Sequence, residues 1–142
     1  MPNNQREGHR PLILIIDDDE AFRETAEALL EQQGYAVMTA DGGAAALQAI
    51  EQELPAVILL DVFMPGMDGF EFLKNLRSAA IHVPVLVTSG AIVGGAPDPM
   101  LSRAMALGAD GILRKPFRVE ELQRLIARVA PGIAAAAATQ RE

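Results

Sequence analysis

Four places in the chain set chemistry-bearing side chains directly behind a run of aliphatic residues. Asp17, Asp18, Asp19 and Glu20 follow LILII (12–16), and Asp61 follows AVILL (56–60). Thr88 and Ser89 follow VPVLV (83–87), and Lys115 comes shortly after GIL (111–113). Carboxylates crowded in this way repel: two of them about 4 Å apart cost roughly 4 kcal/mol at an effective dielectric near 20. A chain tolerates that where the acids cap a solvated helix start, or where a cation sits among them. Carboxylate oxygens suit a hard divalent ion, and Mg²⁺ takes one or two of them while keeping several waters.

The elements between these points decide whether the residues can meet. Leu12–Ile16 is a continuous aliphatic run, the pattern of a strand buried on both faces. Phe22, Ala26, Leu29, Leu30 and Gln33 then recur at helical spacing, and Gly34 closes that helix. Tyr35–Ala40 reads as a second strand, and Asp41 as the cap of a helix running to about Leu54 before Pro55. Ala56–Leu60 is a third strand, followed by the Pro-Gly and Asp-Gly turn chemistry of VFMPGMDG. FEFLKNLRSAA is helical, with Phe70, Leu73 and Leu76 facing inward. Val83–Val87 is a fourth strand, and a Gly/Pro-rich loop separates it from a short helix at about Met100–Leu107 that Gly108 stops. Gly111–Leu113 is a short fifth strand. Val119, Leu122, Leu125, Ile126 and Val129 mark a last helix, ended by Pro131-Gly132, and the alanine-rich IAAAAATQRE is either a frayed helical extension or disordered.

Five βα units imply a parallel sheet covered by helices on both faces and joined by right-handed crossovers. In such a doubly wound sheet, ligands bind at the carboxyl ends of the strands, near the point where strand order reverses. Asp17, Asp18, Asp61, Thr88 and Lys115 all leave strands at that edge. Taken singly, each has an ordinary explanation as a cap, a loop acid or a solvated lysine. Taken together, they predict one site. Asp19 and Glu20 are expected to do no more than start a helix.

The 142 residues fit one domain, large enough to bury about 68–70% of the unfolded surface. Without cysteine there is no disulfide scaffold, thiolate metal site or cysteine nucleophile. A net charge of −7 argues against nucleic acid or an anionic membrane as partner. No signal peptide and no apolar run of spanning length are present, so the expectation is a cytoplasmic protein. His9 and His82 lack partners at ligand spacing, and DGGAAAL (41–47) resembles a phosphate loop only superficially.

The motifs ILIIDDDEAFR (13–23), VILLDVFMPGMDGFEFL (57–73), VPVLVTSG (83–90) and GADGILRKPF (108–117) resemble those of the receiver domains of two-component response regulators, the CheY-like family. The resemblance implies a five-stranded parallel sheet of order 2-1-3-4-5 flanked by five helices. It implies a polar tail at 1–10, a receiver domain at 11–131 and an alanine-rich tail at 132–142. It further implies that Asp61 accepts a phosphoryl group from a sensor histidine kinase or a histidine phosphotransfer protein, with Thr88 and Lys115 contacting that group. By the same resemblance Mg²⁺ would be held by Asp18, Asp61 and the backbone carbonyl of Phe63, with Asp17 acting mainly through a water. The Lys115–Pro116 bond would be cis. The protein would then be a switch with only self-catalysed phosphorylation and dephosphorylation, a monomer or a weak phosphorylation-dependent dimer.

Two departures stand out. Ile112 occupies the position where the family usually carries Tyr or Phe, so an aromatic rotamer swing is not available as the output signal. The loop after Thr88 is longer than is common. A metal-dependent phosphatase with an aspartyl intermediate would want a second acid soon after the nucleophile, and Val62 and Phe63 offer none. The remaining alternatives are a phosphorylation-independent interaction module, and a receiver fragment of a larger regulator or hybrid kinase.

Overall fold

The computed structural model describes residues 10–64, 69–90 and 99–141. Five parallel strands, β1 (Leu12–Ile16), β2 (Ala36–Ala40), β3 (Val57–Asp61), β4 (Val85–Ser89) and β5 (Gly111–Arg114), form one sheet of order β2-β1-β3-β4-β5. Between them run α1 (Glu20–Gln32), α2 (Gly43–Gln52), α3 (Gly69–Ser78) and α4 (Pro99–Ala106), and α5 (Val119–Val129) follows β5. This is the predicted topology with its reversal point between β1 and β3. The turn expected at 65–68, most of the Gly/Pro-rich loop (91–98), His9 and the tail before Arg10 lie outside the described residues.

The strands are apolar throughout because both faces are covered, yet they alternate between two cores. Leu14, Ile16, Ile58, Leu60, Val85 and Val87 pack with Ala46 and Ile50 of α2, Phe70, Leu73 and Leu76 of α3, and Ala104 of α4. Ile13, Ile15, Val57, Leu59, Leu86 and Leu113 pack on the other face with Ala26 and Leu30 of α1 and Leu122 and Ile126 of α5. α1 behaves as its pattern predicts: Asp19 accepts from the Ala21 and Phe22 amides, at 3.0 and 3.3 Å, and Gly34 turns the chain at φ +101°.

Three expectations change. Asp41 does not cap α2; the chain is extended through Gly42 (φ −177°), which takes the N-cap position without a side-chain acceptor. The third, fourth and fifth strands each run past the aliphatic residues that identified them, so Asp61, Thr88 and Ser89 belong to the sheet itself. The alanine-rich segment, read as either a frayed helical extension or disordered, is helical but docked: α6 (Pro131–Ala138) has Ala137 wholly buried in the second core. α6 docks where the α1–β2 turn lacks a side chain, since a Cβ on Gly34 would collide with the Ala137 carbonyl. Arg141 Nε also donates to the Gln33 carbonyl (3.2 Å).

Candidate phosphoacceptor and cation site

The site forms at the carboxyl edge of the sheet, around the reversal point. β1 ends by delivering Asp17, which is buried, and Asp18, which is exposed. The turn into α1 is held tightly: the Asp19 amide donates to Asp17 Oδ1 (2.9 Å), and Arg23 Nη1 donates to the Asp17 carbonyl (2.8 Å). β3 delivers Asp61, 7% exposed, whose Oδ1 accepts the Phe63 amide at 3.0 Å. In the sheet register, Asp61 lies directly opposite Thr88 of β4. β5 leads to Lys115, and the Lys115–Pro116 peptide is cis.

Carboxylate oxygens of Asp17, Asp18 and Asp61 come within 4.8 Å of one another. Lys115 Nζ lies 2.6 Å from Asp17 Oδ2 and 3.8 Å from Asp61 Oδ2. Its other neighbour is aromatic: the ammonium sits 4.1 Å from the centroid of Phe22, and Phe117 meets Phe22 edge-on at 5.9 Å. Burial pushes the Asp61 carboxyl up to about 6, and Asp17 and Asp18 add to the shift. The Phe63 amide and Lys115 oppose it without cancelling it. One ammonium among three acids leaves the cluster short of positive charge, and an oxygen donor set of this kind fits a hard divalent cation.

Thr88 Oγ1 is a buried hydroxyl with no hydrogen-bond partner among the described residues. Such groups are rare, because an unmatched buried hydroxyl forfeits its bonds to water. A hydroxyl held in reserve beside Asp61 suits an incoming anion. Five predicted residues therefore converge: Asp17, Asp18, Asp61, Thr88 and Lys115. Phe63 lies alongside through its amide, with its ring 40% exposed. Phe22, Arg23 and Phe117 were not anticipated here; Phe22 carried only the apolar helix signal, which does not distinguish a core ring from one beneath an ammonium. Half-buried Ile112 packs against the first core, and His82 is exposed.

Sheet order and site geometry together define the class: a CheY-like receiver. Residues 13–127 match the response regulator receiver domain family, and the chain belongs to it. It is 39% identical over 129 residues to the response regulator MprA of Mycobacterium leprae, covering 87% of this chain and 54% of that protein. MprA of Mycobacterium bovis is 38% identical over 135 residues, 91% of this chain and 56% of the relative. The chain thus spans about half the length of the curated relatives it matches. Among solved structures, the Vibrio cholerae chemotaxis protein CheY4 is 33% identical with a TM-score of 0.76, covering 84% of this chain and 98% of that one. A response regulator receiver protein from Pseudomonas putida is 25% identical with a TM-score of 0.75, over 84% and 97% of the two chains. Among the described residues no helix is long and apolar enough to cross a membrane.

Proposed function

We propose that this receiver is a switch whose acceptor is Asp61, loaded by a sensor histidine kinase or a histidine phosphotransfer protein. An Asp61 carboxylate oxygen bonds to phosphorus as the P–N bond of the donor phosphohistidine breaks, and the leaving imidazole nitrogen keeps the electron pair. Transfer of this kind depends on positioning and on stabilising negative charge spread over the phosphoryl oxygens. Lys115, already within 3.8 Å of Asp61, pairs with one of those oxygens. Thr88 donates its hydroxyl to another, which draws β4 toward the acceptor and repacks the loop that follows. Asp17, Asp18, Asp61 and the Phe63 carbonyl would hold Mg²⁺. The bound cation supplies the charge that the three acids lack. The added phosphoryl charge then biases the fold between two packings. That change is read by a protein surface, in this chain or another, since a net charge of −7 disfavours direct contact of this segment with nucleic acid.

The observation that carries this reading is the unpartnered Thr88 hydroxyl, register-paired with a buried acid that an ammonium and two further acids surround. Its test is labelling by acetyl phosphate, followed by intact mass. One phosphoryl group is expected per chain with Mg²⁺ and none after chelation; labelling that ignores chelation would discard the cation site.

Phe63 gives a second expected result. Its ring follows the acceptor by two residues and is partly exposed, so it can shield the acyl phosphate from attacking water. Phe63→Asn, measured as phosphate decay after donor removal, is expected to shorten the half-life severalfold. An unchanged half-life would show that the ring gives no protection.

A further inference from the structure

We infer that Phe22 is a positioning residue for Lys115: its ring face is a fixed second anchor that keeps the ammonium at the height of Asp61. This rests on the acceptor reading above. The ammonium touches Asp17 Oδ2 at 2.6 Å, Asp61 Oδ2 at 3.8 Å and the Phe22 ring at 4.1 Å. The first two contacts change when the site is loaded. Asp17 gives up part of its hold when it faces a cation, and Asp61 loses charge at its reacting oxygen when it bonds to phosphorus. The ring contact depends on neither event.

Phe22 is itself well held. Its amide is capped by Asp19 Oδ1 at 3.3 Å, which fixes its backbone in the first turn of α1. Phe117 packs edge-on against the ring at an interplanar angle of 78°. Because Phe117 lies two residues beyond Lys115, ring and lysine are tied to the same short segment after β5. A cation over an aromatic face is attracted to the negative π cloud, and the attraction grows as water is excluded. Lys115 is only 20% exposed, so the contact lies toward the desolvated end. A lysine stem has four rotatable carbons, and one carboxylate at 2.6 Å would otherwise pull the ammonium toward Asp17 and away from the acceptor. The ring opposes that drift.

The experiment compares wild type, Phe22→Leu and Phe22→Tyr. Leucine keeps an apolar side chain without a π face; tyrosine keeps the face. The first readout is the proton NMR shift of the Lys115 ε-methylene group, which needs no phosphorylation. An upfield ring-current shift is expected in wild type and Phe22→Tyr, and its loss in Phe22→Leu. The second is labelling by acetyl phosphate at saturating Mg²⁺, expected to slow about 3- to 10-fold in Phe22→Leu and to recover in Phe22→Tyr. Calorimetric Mg²⁺ affinity is expected to be the same in all three. Absence of the upfield shift in wild type overturns the inference, as does wild-type labelling by Phe22→Leu. A fall in Mg²⁺ affinity that accounts for the slower labelling also overturns it, since the ring would then act through the metal site. If wild type is not labelled at all, the acceptor reading fails, and Phe22 no longer positions a reacting group even where the shift is present.

Discussion

Asp61→Asn is expected to abolish phosphoryl labelling at any Mg²⁺ concentration, a loss limited only by the detection of the assay. The amide keeps the size and the β3 backbone of the aspartate. It also keeps an oxygen that can accept the Phe63 amide, so the fold is preserved while the nucleophilic oxygen is lost. Asp17 and Asp18 cannot substitute. Asp17 Oδ2 is engaged by Lys115 at 2.6 Å and its Oδ1 by the Asp19 amide, and Asp18 is exposed on the rim. Peptide mapping after acetyl phosphate treatment places the label. A variant labelled to the wild-type extent would falsify the acceptor assignment.

The same substitution has a second, opposite effect on stability. The Asp61 carboxyl is raised from 3.8 to about 6 in the folded chain, by burial first and by Asp17 and Asp18 after it. A group raised in this way favours the folded state below its unfolded value, and that contribution is lost as pH rises through about 6. At neutral pH the metal-free fold therefore carries a cost of order 2–3 kcal/mol for ionising Asp61. Asp61→Asn removes the cost, so the metal-free variant is expected to melt higher than wild type at neutral pH, with the gap shrinking as pH falls from about 6 and closing only below about pH 4. Mg²⁺ should narrow the neutral-pH gap by stabilising wild type more than the variant. Activity and stability thus move in opposite directions, the usual mark of charges assembled for a ligand.

How far the sequence discloses this site depends on what each residue has to do. Asp17, Asp18, Asp61, Thr88 and Lys115 were legible because a parallel sheet presents strand ends on one edge, and strand ends can be found from aliphatic runs. The same runs misplace the boundaries. Hydrogen bonding continues past the last aliphatic residue, so Asp61 proved to be in the ladder opposite Thr88, and Thr88 opposite Leu113. Helical spacing marked Phe22 as inward-facing, which it is, but periodicity carries no information about a lysine 93 positions later whose ammonium arrives by tertiary packing. The alanine-rich end was undecidable for a related reason. Its helix has no charged face to orient it, and docking depends on Gly34 leaving room for the Ala137 carbonyl.

A second large effect is expected far from the acceptor, at Arg77. This arginine lies in the last turn of α3, and its guanidinium reaches around the turn into β4. Nη1 donates to the carbonyls of Ile81 (2.8 Å) and Val83 (3.0 Å), and Nη2 to the Gly108 carbonyl (2.8 Å). Asp110 completes the set: its Oδ2 accepts from Arg77 Nη2 at 3.1 Å and from the Val85 amide at 2.8 Å. One planar cation thereby ties the end of α3, the start of β4 and the turn between α4 and β5, where Gly108 sits at φ +106° against the arginine stem. Arg77→Met keeps the stem but strands three carbonyls and leaves Asp110 without its counter-charge. Each loss costs about 1–3 kcal/mol when fully buried, and partial exposure of the side chain (21%) reduces the sum to roughly 3 kcal/mol. Arg77→Lys should recover only part, because a single ammonium cannot span the fork of acceptors. Urea unfolding measures the loss, and hydrogen exchange at the start of β4 and at β5 shows where the fold loosens. A midpoint unchanged in Arg77→Met would mean that water replaces the guanidinium at no cost, and that the starts of β4 and β5 are held by the sheet alone.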